Sequence, residues 1–165
     1  MPDFLDLPAQ ELTPEAFAPY GTVIPPTEDG VAFGPQDAGL YLSAGTPRFY
    51  AMRLANRGLT VSRITRHRKV TQVLASAGGL PWLIAVAPPP LVDAPDAEPA
   101  LEDIRAFRIP GDAGIMLRLG AWHAGPLFEG AEQSFFNLEL SDTNVTDHWN
   151  CDLAKRYGVA FRILV

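Results

Sequence analysis

From Thr22 onward, apolar and polar residues alternate in short runs of Val, Ile, Leu, Phe and Thr that are cut repeatedly by proline and glycine. Nine such runs read as strands: Thr22 to Ile24, Arg48 to Ala55, Leu59 to Arg68, Thr71 to Ala77, Pro81 to Ala87, Ile104 to Ile109, Gly114 to Leu119, Gln133 to Leu140 and Val159 to Leu164. Sixteen prolines and fourteen glycines leave little room for long helices. The exception is Thr13 to Phe17. Thr13 can cap a short helix, Pro14 sits where its missing N–H costs nothing, Glu15 suits the positive end, and Pro19-Tyr20-Gly21 stop it.

Leu80 to Ala87 is the most apolar segment and is closed by Pro88, Pro89 and Pro90. Its length suits a buried strand and is far too short for a membrane span. Pro88 to Asp103 scatters acids among prolines and alanines without a period, which predicts a solvated loop with a helical turn near Leu101. Short strands at this density in 165 residues predict one all-β domain over 1–165, closed as a sandwich or jelly-roll barrel so that few strand edges stay unpaired.

Charge and cysteine narrow the function classes. Thirteen Lys+Arg against nineteen Asp+Glu give −6, which argues against gripping nucleic acid by counterion release. The single cysteine, Cys151, has no partner for a disulfide or a C-x-x-C site and reads as a buried, inert thiol. The N-terminal residues carry acids and prolines in place of a basic and apolar leader, so the expected location is cytoplasmic, with no membrane partner.

Histidine chemistry must choose among His67, His123 and His148. On an extended strand Arg63, Thr65, His67 and Lys69 share one face, and Ile64, Arg66, Arg68 and Val70 share the other. His123 follows a strand end and the turn-permitting Gly120, so Arg118 and His123 are expected to project from adjacent strand ends into one cavity. His148, in polar turn-like sequence, is expected at the surface.

Thr65-Arg66-His67, then four residues, Gln72, six residues and Gly79, resembles the first cupin motif, with Thr65 and Gln72 in place of His and Glu. Gly120-x2-His123 resembles part of the second. Over most of its length the chain is similar to the ureidoglycolate lyase family of cupin fold. The resemblance is carried in order by Leu12 to Ile24, Arg66-His67 with Gln72, Arg105-Ala106-Phe107, Gly114, Trp122-His123 and Asn150-Cys151. Thr65, Arg118 and Glu139-Leu140 stand where the family usually carries Glu, His and an Asp-Arg pair.

This resemblance implies a cupin-like double-stranded β-helix with a short N-terminal helix, and elimination of urea from ureidoglycolate, leaving glyoxylate. His67, His123 and Arg118 are the expected catalytic groups, with imidazole as base and guanidinium on the substrate carboxylate. Arg66, Gln72, Trp122 and Asn150 are the expected substrate-binding groups. The cofactor expectation stands between none, which is favoured, and a divalent metal such as nickel on His67, Gln72 and His123, with Glu139 able to help if it points inward. A homodimer is also implied. The alternatives are a non-catalytic cupin that binds a small carboxylate, and a lyase or hydrolase for a related hydroxy acid.

Overall fold

The structure, a computed structural model, describes residues 1–165. Its strands are β1 (Asp3–Glu11), β2 (Gly21–Ile24), β3 (Pro47–Ala55), β4 (Thr60–Val61), β5 (Arg63–Arg66), β6 (Gln72–Ser76), β7 (Trp82–Ala87), β8 (Arg105–Ile109), β9 (Gly114–Leu117), β10 (Trp122–Leu127), β11 (Glu132–Leu140), β12 (Trp149–Asp152) and β13 (Val159–Leu164). The only helices are short: α1 (Pro14–Phe17), α2 (Thr143–Thr146), α3 (Leu153–Tyr157) and one 3-10 turn at Leu101–Asp103. Thr13 Oγ1 accepts the Ala16 N–H at the start of α1, and Gly158, at φ 70, closes α3 in the left-handed conformation. No helix is long and apolar enough to cross a membrane.

Two curled sheets make the all-β, cupin-like barrel. The larger runs β12-β5-β10-β7-β8-β1-β13-β4 and the smaller β2-β9-β6-β11-β3. Strand β7 explains why its sequence is apolar throughout. Trp82, Ile84 and Val86 join Phe107, Ile115, Leu117 and Phe135 between the sheets. Leu83, Ala85 and Ala87 face the other way and pack with Trp122, Phe161 and Ile163. The larger sheet therefore has apolar layers on both sides, one of them covered by its own far strands.

Three elements go beyond what the sequence pattern predicts. Strand β1 pairs in parallel with β13 through Asp3 to Pro8 and then with β8 through Ala9 to Glu11. Its side chains are mostly exposed, so burial leaves little imprint on its sequence. The pattern marks β10 only as a restart at Trp122-His123, and β12 is too short and polar to announce itself. The expected strand Leu59 to Arg68 is broken at Ser62 into β4 and β5, which pair with different neighbours.

Candidate active site

Polar residues take over the inward positions at one end of the barrel. In β11 the inward set is Gln133, Phe135, Asn137 and Glu139, so the same parity that buries Phe135 also buries an amide and a carboxylate. On β6, Gln72 precedes Leu74 on the inward face; on β3, Tyr50, Met52 and Leu54 are the half-buried positions. Across from them stand Thr65 and His67, the latter just past β5, and His123 of β10, which pairs with Thr65. Together they line a cavity of about 470 Å³, and His148 and Asn150 also border it.

The imidazoles form a cluster. The His67 and His123 ring centroids are 5.1 Å apart, and that of His148 lies 5.7 Å from His67. Nδ1 of His67 is 2.7 Å from the main-chain oxygen of Asp147. A carbonyl only accepts, so Nδ1 carries the proton and Nε2 is left as the unprotonated nitrogen. Nδ1 of His123 faces the Ala121 carbonyl at 3.4 Å in the same sense. Burial lowers both ring pKa values; His123 is pushed down to about 3 by burial first and then by His67. Both rings are neutral at pH 7.

Asp147 holds this corner together. Its carboxylate accepts the main-chain N–H of Arg68 at 2.9 Å, that of Lys69 at 2.8 Å and the indole N–H of Trp149 at 3.0 Å. The two residues after His67 are thus tied to the residue whose carbonyl receives its ring proton.

A second network lies opposite. Gln72 Nε2 donates to Asn137 Oδ1 at 3.0 Å and to Glu139 Oε2 at 3.4 Å, and Asn137 Nδ2 donates to the Tyr50 hydroxyl at 3.1 Å. Tyr50 and Asn144 donate to Glu139 Oε1 at 3.2 and 3.3 Å. Glu139 is 1% exposed and has no cationic partner. At the rim, Thr65 Oγ1 donates to Asn150 Oδ1 at 2.5 Å.

Comparison with known proteins decides the family. Residues 35–157 match the family model described as ureidoglycolate lyase. The ureidoglycolate lyase of Schizosaccharomyces pombe is 30% identical over 163 residues, covering 79% of this chain and 83% of that protein. That of Pseudomonas fluorescens is 30% identical over 162 residues, covering 87% of each. The chain belongs to the ureidoglycolate lyase family. Membership makes it a lyase.

Of the residues expected at this lyase site, the barrel brings together His67, His123, Gln72 and Asn150. Three others are corrected. Arg66 is wholly buried on the opposite face of β5, donating to Asp93 Oδ1 at 2.8 Å and to the Ala94 carbonyl, with its guanidinium 5.1 Å from the Trp122 ring. Trp122 belongs to the outer apolar layer for the same reason: its neighbour His123 takes the inward position. Arg118 follows inward-facing Leu117, so it turns outward and donates to the Ala18 carbonyl at 2.6 Å. The cations that do border the cavity are Arg57 and Arg63.

Two expectations of a bland surface also change. Asp93 accepts from both Arg66 and Arg68, so the Pro88 to Asp103 loop is fastened to the back of β5. His148 is exposed, yet it borders the cavity beside His67. Cys151 is buried, and burial raises its thiol pKa, as an unreactive cysteine requires.

The donor set does not fit the divalent metal that the family suggests. No group of three or more His, Cys, Asp or Glu side chains converges to hold an ion, even with Glu139 pointing inward. Gln72 Oε1 is buried without a partner, but one amide oxygen beside two imidazoles falls short of the usual set of good donors. Sequence reasoning misses Tyr50, Asn137, Asn144 and Asp147, and reaches Glu139 only as a possible helper to a metal. Parity along β11 is the signal that finds Asn137 and Glu139; nothing in the sequence distinguishes Asp147 from an ordinary turn aspartate.

Proposed function

We propose that this protein eliminates urea from ureidoglycolate, releasing glyoxylate. His67 Nε2 takes the proton from the substrate hydroxyl while its Nδ1–H stays on the Asp147 carbonyl. The oxygen's electron pair forms the aldehyde carbonyl as the C–N bond breaks, and the proton taken by His67 Nε2 passes to the departing ureido nitrogen, so that urea leaves neutral and His67 returns to its starting state. Neutral His123, with its Nδ1–H on the Ala121 carbonyl, presents Nε2 as a hydrogen-bond acceptor beside the reacting carbon. The urea group lies toward Gln72, Asn137 and Glu139, and the carboxylate toward Arg63, which shares the inward face of β5 with Thr65.

The observation that carries this reading is the fixed tautomer of His67, a neutral base with its free nitrogen settled by a main-chain contact. The alternative of a carboxylate-binding protein without turnover rests on Thr65 and Arg118, of which Thr65 lines the cavity and Arg118 does not. The test is release of urea and glyoxylate from racemic ureidoglycolate by chelator-treated protein, corrected for spontaneous decay. Enzyme-dependent release that His67→Ala abolishes is expected. Release no faster than the spontaneous decay, with or without added nickel or manganese, overturns the proposal.

A further inference from the structure

The cavity lining extends along β3 from Tyr50 to Leu54 as well as across its polar end. Its polar end is Gln72 and Glu139. One inward position further along β11, Asn137 pairs with both Leu74 and Tyr50; then Phe135 pairs with Met52 and Gln133 with Leu54. Tyr50 to Leu54 is about 13 Å of strand. Met52, Leu54, Leu74 and Leu127 border the cavity, and beyond Leu54 comes Arg57, which also borders it and has no ion-pair partner in the chain. A volume of about 470 Å³ falls in the range that encloses drug-sized ligands. Ureidoglycolate is much shorter than this and leaves the apolar wall and Arg57 untouched.

The buried end also has a chemical preference. Glu139 is a carboxylate with no cation, held by neutral donors at 3.2 to 3.4 Å. A buried carboxylate in that position favours further N–H donors and disfavours another anion. A urea head meets this requirement and a carboxylate does not. The anionic end of a ligand therefore belongs toward Arg57 and Arg63.

We propose that the preferred substrates are longer ureido acids. In them a urea head at Gln72, Asn137 and Glu139 is joined through an apolar carbon chain on Met52, Leu54, Leu74 and Leu127 to a carboxylate on Arg57. This rests on the lyase reading for its chemistry: the carbon next to the urea carries the hydroxyl, and elimination gives urea and the corresponding oxo acid. Each methylene buried on the wall tightens binding about fourfold.

Stable analogues without the hydroxyl test the proposal separately from turnover. Calorimetric titration compares ureidoacetate with 6-ureidohexanoate, in which only the chain length differs. The longer acid is expected to bind at least tenfold more tightly, and Arg57→Ala and Leu54→Glu are each expected to remove most of that preference while thermal unfolding reports intact folding. Equal affinities, tighter binding of ureidoacetate, or a preference untouched by both variants overturns the proposal. A preference that obeys both variants supports it even if ureidoglycolate is not cleaved, which would count against the lyase reading alone. Cleavage of ureidoglycolate without the chain-length preference has the opposite meaning.

Discussion

His67 donates its Nδ1 proton to the main-chain oxygen of Asp147 across 2.7 Å, while the Asp147 carboxylate holds the N–H groups of Arg68 and Lys69. The imidazole and its acceptor are locked as one unit. Asp147→Ala is expected to lower kcat roughly tenfold to a hundredfold, the usual scale for losing the group that orients a functional histidine. Asp147→Asn keeps one acceptor and should recover part of the loss. Nitrogen NMR of the His67 ring gives the separate readout: the Nδ1–H tautomer persists in the Asp147→Asn variant and is mixed in the Asp147→Ala variant.

His123 makes stability depend on acid. Its folded pKa is about 3, below the unfolded value near 6.5, so between these limits the unfolded chain binds more protons. Stability is then lost as pH falls from about 6.5 toward 3, at about 1.4 kcal/mol per pH unit while His123 dominates. Replacing His123 with Gln should flatten that part of the Tm against pH curve. An unchanged slope would mean that His123 is not the group responsible.

If His67 is the base, as proposed, the pH dependence of turnover should follow it. Burial is the largest influence on it and lowers its pKa, so the acid limb of kcat/KM should lie below the ordinary histidine range. The Glu139 charge acts the other way. Glu139→Gln removes that charge and should move the acid limb to still lower pH. A limb that stays in place in this variant would separate Glu139 from the titration.

Arg118 and Arg66 should fail in different assays. Arg118→Ala breaks an outward contact with Ala18 and should leave KM within about twofold. Arg66→Ala removes a wholly buried side chain packed on Trp122, and should cost about 2–4 kcal/mol in denaturant unfolding.

Periodicity explains which features are legible in the sequence. The all-β class, the α1 start at Thr13, β7 and both inward histidines can be read because burial stamps period two on strands. The same rule places Arg66 opposite His67, but the order of family motifs suggests a shared role that strand parity forbids. Arg118 is misplaced by sequence reasoning because it follows inward-facing Leu117, and alternation turns its side chain outward. Strand β1 and the Asp147 clamp stay hidden because both depend on main-chain partners remote in sequence.

Alternation along β5 and β10 sets how this lineage can change. Loss of a single residue ahead of His67 would turn the imidazole into the apolar layer beside Trp122 and swing a guanidinium toward Glu139. The same slip would release the Asp93 anchor. Exchange of side chains at fixed spacing is therefore the open route for altering substrate preference. Insertions and deletions are expected to be tolerated in connections such as the one between β2 and β3, where no strand parity is at stake.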